Sequence, residues 1–319
     1  MSDDEPPKPL TRAQSKLLDA SGQIFGEMAT KKDAAYLPRE LVQVTLPHKN
    51  PGNVPVWERT NGNLSIAIQA GYDIAKKQSY GYPYGTVPRL LLFWLTTEAI
   101  RTSNRRLELG SSLSGFMAEL GLNNANGSSG AKRSDARRLR DQMQRLFNAS
   151  ISFVGTLERD GRTGTGWLNM YVAPKGELWW SRKDPDQAAL WGSWIELGED
   201  FYKAIVAAPV PADMRALKAL KRSPLALDLY AWLTYEAFRA HKSGKIRFEN
   251  WEQLHGHLGG EYAHLHHFRA KAKAALRKIQ IVYPGLKLGK RMGGIEVLPE
   301  SYPAIQPRSV TIDGTCVPL

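Results

Sequence analysis

Two short stretches far apart in the chain are nearly identical: WLTTEAIR at residues 94–101 and WLTYEAFR at residues 232–239. Six of their eight letters match, and they begin 138 positions apart. Leu120-Gly121 and Leu258-Gly259 recur at the same spacing. Eight letters alone could match by chance, so the surrounding sequence must show whether a longer unit is repeated.

The sequence around each stretch follows the same order of patterns. Each stretch lies in an apolar helix, with the start signals Thr86 and Pro88 in the first copy and Ser223-Pro224 in the second. A short strand, a helix ending in glycine, a basic amphipathic helix and a β-hairpin follow in both copies. The hairpins are predicted to begin at residues 151–153 and 281–283. This shared order predicts a duplicated module.

The flanking sequence sets the predicted boundaries. Residues 1–38 are polar and predict a mobile arm with one short helix at most. Residues 41–48 alternate like a β-strand, and Asn61-Gly62 between two strand-like runs predicts a hairpin turn. The predicted organisation is an arm at 1–38, a first domain at 39–183, a second domain at 184–300 and a tail at 301–319.

Composition narrows the class of partner. The formal net charge is +12 and the isoelectric point is about 9.7, which favours a polyanion, with nucleic acid ahead of an anionic membrane surface. A single cysteine, Cys316, excludes an intrachain disulfide and a thiolate metal cluster, and it suits a reducing cytosol. The first residues lack a signal peptide, and no apolar run is long enough to span a bilayer. We therefore expect a cytoplasmic protein.

Two helices followed by a third, basic helix and a hairpin form a winged helix, which is a helix-turn-helix variant. In that motif the third helix enters the major groove of DNA and the hairpin contacts the backbone. The predicted fold class is therefore α+β, with two tandem winged-helix domains related by internal duplication.

The basic helix of the second copy is predicted at residues 265–279. Its core stripe comprises Leu265, Phe268, Ala272, Leu276 and Ile279. Residues 262–291 carry eight Lys and Arg and no Asp or Glu, whereas a solvated helix normally mixes charges. Charge of one sign predicts phosphate contacts. The predicted DNA-binding residues of this copy are His266, His267, Arg269, Ala270, Lys271, Lys273, Ala274, Arg277, Lys278, Lys287, Lys290 and Arg291.

The basic helix of the first copy has a core stripe of Ala136, Leu139, Met143 and Leu146. Asp141 can pair with Arg138 and Arg145, so an interface between domains or subunits is an alternative to DNA contact. The predicted DNA-binding residues of this copy are Lys132, Arg133, Arg137, Arg138 and Arg145. Two such helices can occupy successive major grooves about 34 Å apart on one face of a duplex.

Residues 80–101 (YGYPYGTVPRLLLFWLTTEAIR), 107–122, 223–239 (SPLALDLYAWLTYEAFR) and 268–284 (FRAKAKAALRKIQIVYP) resemble the plasmid-encoded RepA replication initiators. These belong to the iteron-binding Rep proteins with two winged helices, and the resemblance covers roughly residues 40–300. It implies binding to repeated iterons at a plasmid origin, opening of an AT-rich segment, and recruitment of host proteins such as DnaA and the DnaB helicase.

The resemblance also implies exchange between monomers that initiate replication and dimers that repress their own gene or pair iterons. It implies that the helix at 264–278 makes most base contacts. The helix at 134–147 would contact the backbone and switch between dimerisation and DNA binding. The glycine-rich segment at 123–130 does not map onto the family pattern.

Two other functions stay open. A tandem winged-helix transcription regulator needs the same grooves and charges. A metal-dependent nicking enzyme is the other, because five of the seven histidines are His255, His257, His264, His266 and His267, and HLH at 264–266 fits a His-hydrophobe-His metal site near Tyr262. Two such histidines would diverge by 200° on a helix. GRTGTG at 161–166 matches no nucleotide-binding motif. We expect no enzymatic activity, metal or cofactor.

Overall fold

The computed structural model describes residues 10–27, 29–30, 32–110, 112–122, 135–179, 192–259, 261–305, 309–312 and 315–318. Its first elements, in chain order, are α1 (Arg12–Gly26), β1 (Ala34–Pro38), α2 (Arg39–Gln43), β2 (Trp57–Asn61), β3 (Leu64–Gln69), β4 (Tyr72–Asp73), β5 (Gln78–Ser79), α3 (Thr86–Thr102), β6 (Arg106–Glu108), α4 (Leu113–Glu119), α5 (Asp135–Asn148), β7 (Ser150–Arg159) and β8 (Arg162–Tyr171). The fold therefore mixes helices and strands throughout.

The remaining elements are β9 (Lys175–Glu177), β10 (Trp194–Glu196), α6 (Glu199–Ala207), β11 (Pro209–Asp213), α7 (Met214–Leu220), α8 (Pro224–Ser243), β12 (Arg247–Asn250), α9 (Trp251–Leu258), α10 (Leu265–Val282), β13 (Gly294–Val297), β14 (Ser309–Ile312) and β15 (Thr315–Pro318). We refer to residues 34–207 as the N-terminal half and to residues 209–305 as the C-terminal half. No helix in the described part of the chain has the length and apolar character of a membrane span.

Each half is built around one long, buried helix. In α3, residues 87–96 are all buried, and in α8 residues 225–234 are all buried. A helix that is apolar on every side has to lie inside a core. Ser223 caps α8 by accepting the Ala226 N–H at 3.1 Å, as predicted, whereas Gly85 rather than Thr86 precedes α3.

The two repeated tryptophans occupy matching environments. Trp94 stacks edge-on against Phe116 of α4, with ring centroids 4.8 Å apart, and donates a hydrogen bond to Glu119 at 2.7 Å. Trp232 lies 6.1 Å from the ring of His257 in α9. Glu119 and His257 are separated by the same number of positions as Trp94 and Trp232. The apolar helix around each repeated stretch predicts a core position for its tryptophan, and both tryptophans are buried.

The sheets differ between the halves. In the N-terminal half, the order β2-β3-β7-β8 forms a four-stranded antiparallel sheet whose buried face includes Ile66, Ile68, Ile151 and Phe153. The short strand β6 pairs with β10, which lies beyond the predicted boundary at residue 183. In the C-terminal half, β12 pairs with β13. The halves join where β1 pairs with β11, from Ala34 opposite Asp213 to Pro38 opposite Pro209.

The predicted mobile arm is wrong for two segments. Helix α1 packs against α7 and α10, with Leu17 buried and the Ser21 hydroxyl donating to the Ile281 carbonyl at 2.8 Å. Residues 34–38 are strand β1, which is held by the C-terminal half. The polar composition concealed this because α1 has only a narrow apolar stripe, and that stripe is covered by residues far away in sequence.

Of two local predictions near the start of the N-terminal half, the strand at residues 41–48 is wrong, whereas the hairpin around Asn61-Gly62 is present as β2 and β3 with its turn one residue later. Residues 39–43 form helix α2, in which the neighbouring Leu41 and Val42 are both buried, and residues 44–48 belong to no strand. The hairpin turn lies at Gly62 and Asn63, since Asn61 still pairs with Leu64. Only Gly62 has a positive φ there, of 54°.

Candidate nucleic-acid interface

Helix α10 separates its buried and exposed residues onto opposite faces. Phe268, Ala272, Ala275, Ile279 and Val282 are buried against the core. The exposed residues of the predicted site on this helix are His266, His267, Ala270, Lys271, Lys273, Arg277 and Lys278. Ala274 is half-buried beside them. The helix therefore presents a positively charged face interrupted by small alanine side chains, over which another molecule can approach the backbone closely.

The structure corrects the extent of this helix. It continues to Val282 instead of ending at 279, so residues 281–282 are helical and not the start of a strand. Leu265 and Leu276 are only half-buried, and Ala275 and Val282 join the core stripe. The β-branched residues Ile281 and Val282 suggested a strand. The spacing of Ala275, Ile279 and Val282 instead places all three on one face of a helix, where they are buried.

Arg269 lies apart from the exposed face. It is half-buried, and its guanidinium lies 5.8 Å from the ring centroid of Trp251 in α9. Such a contact holds the cation against the aromatic face. Arg269 therefore lies on the flank of the helix that faces α9, and its charge contributes to the margin of the basic face.

Residues 284–298, which we call the C-terminal hairpin, continue the charged surface. Leu288 bridges to Val297, the Gly289 N–H donates to Glu296 O at 2.9 Å, and Leu298 N–H donates to Lys287 O at 2.9 Å. Lys287, Lys290 and Arg291 are exposed along it. The three cations thus stand on a hydrogen-bonded turn that follows directly from α10.

The tip of the C-terminal hairpin is held by a contact with β12 and by a hydrogen bond within the hairpin. The Arg291 guanidinium stacks 3.9 Å from the ring centroid of Phe248 in β12, and its backbone N–H donates to Glu296 Oε2 at 3.3 Å. Met292 beside it is 82% exposed. Arg291 therefore keeps its charge at a defined position, since the stacked ring restricts its side chain.

Helix α5 of the N-terminal half provides a weaker candidate face. Ala136, Leu139, Met143 and Leu146 are buried, as predicted. Arg137 and Arg138 are exposed, but Arg138 pairs with Asp135 at 3.2 Å and not with Asp141. The predicted residues Lys132 and Arg133, and the glycine-rich segment at 123–130, lie outside the described residues.

Arg145 departs from its predicted role. Its side chain is only 17% exposed, and it pairs with Asp141 at 3.0 Å. It also donates to the Tyr82 carbonyl at 3.3 Å and lies 5.3 Å from the ring centroid of Tyr84. Arg145 therefore connects α5 to the segment before α3. Its charge is largely paired within the protein and is not presented to a ligand.

The N-terminal hairpin β7–β8 is long and well defined. Its turn is Asp160-Gly161, with φ of 52° and 71°, and ten residues on each side are paired. Positive φ at both turn positions matches the twist of antiparallel strands. The hairpin predicted from the sequence is thus present, and Arg162 stands exposed next to its turn.

The histidine cluster has a different geometry from the one expected. His264 is the extended residue before α10, and its ring stacks on that of His266 at 5.5 Å, while the rings of His266 and His267 are 4.1 Å apart. The expected divergence on a helix fails because His264 is not yet helical. Among the described residues, no group of His, Cys, Asp and Glu is arranged to hold a metal. Burial raises the pKa of the Tyr262 phenol, which opposes its use as a nucleophile.

The structure contains a buried cluster of charged residues that the sequence did not predict. Arg89 of α3 makes two hydrogen bonds to Asp228 of α8, at 2.6 and 2.7 Å, and both side chains are less than a tenth exposed. Its remaining N–H groups donate to the Leu46, Pro47 and Gly85 carbonyls. Burial alone would raise the pKa of the Asp228 carboxyl, but Arg89 and His48 hold it well below its ordinary value.

The same cluster continues towards α10. The His48 Nε2 lies 2.8 Å from Asp228 Oδ2, and His48 Nδ1 lies 3.4 Å from Glu261 Oε2. Arg59 donates to Glu261 Oε1 at 2.9 Å. These residues are up to 213 positions apart, so no local sequence signal identifies the cluster. It connects the two halves through five ionisable side chains.

We expect the protein to become less stable at acidic pH because of His48. Burial lowers the pKa of the His48 imidazole, despite the opposing effect of Asp228, so the folded state holds it neutral. Unfolding then takes up a proton, and the free energy of unfolding should fall as the pH drops below about 6.5. Urea unfolding from pH 8 to pH 5 should show this loss in the wild type and a shallower dependence in His48→Gln. His266→Gln, which removes an exposed imidazole, is the control and should follow the wild type.

The family of plasmid-encoded RepA proteins matches residues 82–253, which is more than half of the chain. No curated protein matches the sequence. Two similar solved structures are crystal structures of domains 2 and 3 of RctB. The first, of selenomethionine derivatives, has a TM-score of 0.48 and 11% identity over 82% of this chain and 97% of that chain. The second has a TM-score of 0.45 and 12% identity over 81% of this chain and 94% of that chain. By the family match, this chain belongs to the plasmid-encoded RepA proteins.

Proposed function

We propose that this protein initiates plasmid replication by binding repeated iteron DNA at the origin through two winged helices. The observation that carries the proposal is the exposed face of α10, which opposes a fully apolar buried face and continues onto the C-terminal hairpin as far as Arg291 without an intervening acidic residue. Such a surface fits the phosphates of a duplex on either side of a groove. Membership of the RepA family supports an origin as the target.

We propose that each half is one winged helix and that the halves arose by duplication. Apart from β2–β5, which only the N-terminal half has between its short and long helices, both halves share the order of strand, short helix, long helix, strand and two further helices. This order supports the duplication, as do the matching tryptophan contacts. In the C-terminal half, α10 would be the recognition helix and the C-terminal hairpin its wing. In the N-terminal half, α5 and the β7–β8 hairpin would have these roles, with Arg137, Arg138 and Arg162 near the backbone.

The C-terminal half should contribute most of the sequence specificity. Its recognition helix offers Arg277 and Lys273 beside Ala270 and Ala274, so long donors and small methyl groups alternate on one face. The cations of α5 are partly neutralised by Asp135 and Asp141. We therefore assign base reading to α10 and backbone positioning to α5. Recruitment of host proteins such as DnaA and DnaB, and exchange between monomer and dimer, remain part of the proposal through the family resemblance.

A footprint on the plasmid DNA upstream of the gene tests the proposal. We expect protection of several directly repeated sites, each about two helical turns long if both halves bind one face. The same DNA and gene, placed on an origin-less plasmid, should support replication in a transformed host. Protection of a single operator without autonomous replication would instead favour a transcription regulator. Nicking of supercoiled origin DNA with Mg²⁺ or Mn²⁺ that disappears in Tyr262→Phe would favour a nuclease.

Lys287→Ala should weaken binding to every DNA sequence alike. Lys287 is exposed on the wing, where it would meet a phosphate and not a base. Titrations over a range of salt concentrations should show the slope of log affinity against log salt reduced by about one. Lys203→Ala is the matched control, because Lys203 is an exposed lysine already paired with Glu199 at 2.6 Å in α6. A loss confined to the specific site would show that Lys287 reads a base.

A further inference from the structure

Three groups of the N-terminal half converge on one side chain of the C-terminal half. The His48 backbone N–H donates to Glu261 Oε1 at 2.8 Å, Arg59 Nη2 donates to the same oxygen at 2.9 Å, and the His48 imidazole faces Oε2 at 3.4 Å. Glu261 lies in the turn between α9 and α10, three positions before His264, the residue that precedes α10. The start of α10 is thus held by residues outside its own half.

Arg59 also reaches the helix before that turn. Its Nη1 donates to the His257 carbonyl, at 3.3 Å, in the last turn of α9. The last carbonyls of a helix lack partners within it, and a buried cation near them is favourable. The side chain of Arg59 is 3% exposed, so its hydrogen bonds act in an environment largely shielded from water. One arginine therefore fixes both the end of α9 and the turn leading to α10.

The position of Arg59 links this contact to the other candidate DNA surface. Arg59 lies on β2, opposite Ile66 of β3, which in turn lies opposite Phe153 of β7. β7 is the first strand of the N-terminal hairpin. A single hydrogen-bonded sheet thus runs from the N-terminal wing to the residue that holds the start of α10.

We propose that Arg59, His48 and Glu261 form a joint that fixes the recognition helix relative to the N-terminal half, so that both halves bind one stretch of DNA as a unit. This proposal rests on the proposed function. Arg59 and Glu261 are positioning residues: they contact each other and the turn before α10, and they act on DNA binding through α10. With the joint broken, the halves would stay connected through β1–β11 and Arg89–Asp228, but α10 would no longer be held in one orientation relative to the N-terminal half. Part of the gain from simultaneous binding would then be lost.

The test compares Glu261→Gln with Glu252→Gln. Both variants remove one carboxylate from the chain segment that leads to α10, but Glu252 is exposed on α9 and Glu261 is held by the N-terminal half. Affinity is measured for two duplexes, one spanning the whole footprint and one covering only the part contacted by α10. We expect Glu261→Gln to weaken binding to the long duplex on the order of tenfold and binding to the short duplex much less. Glu252→Gln should bind both duplexes with the affinities of the wild type.

A second measurement tests, in the absence of DNA, whether the joint holds the two halves at a fixed distance. Spin labels on Ile74→Cys and Lys245→Cys, both exposed, in a Cys316→Ser background give the distance between the halves. Glu261→Gln should broaden the distance distribution, and Glu252→Gln should not. The Arg59→Gln and Glu261→Gln double variant should lose no more affinity for the long duplex than the worse single variant, since both act on one contact.

The outcomes separate the joint from the function. An equal loss of affinity for both duplexes, or an unchanged distance distribution in a folded Glu261→Gln protein, contradicts the proposed joint. Neither result contradicts the initiator proposal. Failure of the wild type to prefer origin DNA overturns the initiator proposal, and the distance measurement then still decides whether the joint exists.

Discussion

Asp228→Asn is expected to lower the free energy of unfolding by about 3–5 kcal/mol. The substitution keeps the shape of the side chain but removes the only carboxylate that Arg89 contacts among the described residues, and Arg89 is 4% exposed. An uncompensated guanidinium then stays in an environment with little water to solvate it. Chemical denaturation at pH 7.5, where His48 is neutral, measures the loss.

The control and the double variant show that the loss comes from an unpaired buried charge. Glu98→Gln breaks the exposed pair between Glu98 and Arg101 on α3 and should cost at most about 1 kcal/mol. Replacing both partners, as Arg89→Met with Asp228→Leu, should cost less than the sum of the two single replacements, because both remove the same ion pair. A loss for Asp228→Asn no larger than that for Glu98→Gln would contradict the assignment of the cluster as a buried connection between the halves.

Arg277→Ala is expected to weaken specific DNA binding by about 1–3 kcal/mol, which is roughly 5-fold to more than 100-fold in affinity. Arg277 is exposed on α10, two turns of the helix beyond Ala270, on the face opposite Ile279 and Phe268. A guanidinium there can form two hydrogen bonds to a guanine in the major groove. Competition with origin and unrelated duplexes separates the specific loss from a general one.

Gln280→Ala is the matched control, because Gln280 is exposed on the same helix but carries no charge. It should bind origin DNA within a factor of about two of the wild type if it makes no base contact. Unchanged affinity in Arg277→Ala would mean that α10 presents a different face to DNA than its pattern of burial indicates. A uniform loss on all duplexes would reassign Arg277 to a phosphate.

Much of the C-terminal site could be predicted because its signals are local. The buried stripe of α10 repeats at helical spacing, and the absence of acidic residues over 262–291 is visible in the sequence. The prediction was weaker in the N-terminal half, where Arg145 was expected to face outwards. Its pair with Asp141 follows from the spacing along α5, but its contacts with Tyr82 and Tyr84 involve a separate segment of the chain, which that spacing cannot show.

The repeated stretches illustrate the same limit. The i,i+3 spacing of Glu98 with Arg101 and of Glu236 with Arg239 predicts local surface pairs, and both pairs form within their helices. Glu236, however, is buried and also pairs with Arg247 of β12 at 2.9 Å, so it is not the surface residue expected from its spacing. The local partner followed from the helical period, whereas the distant partner depended on how β12 packs beside α8.

By itself, the sequence determined the long helices, the basic face of α10, the β7–β8 hairpin and the family, because each depends on periodicity or on residues close together in the chain. The tertiary structure alone decided that α1 and β1 join the folded body, and it brought His48, Arg59, Arg89, Asp228 and Glu261 together. The physical reason is that a buried charge is tolerated only beside its partner, and that partner can come from any part of the chain that packing places within about 3 Å. Which distant residues meet there is set by the joint burial of both halves.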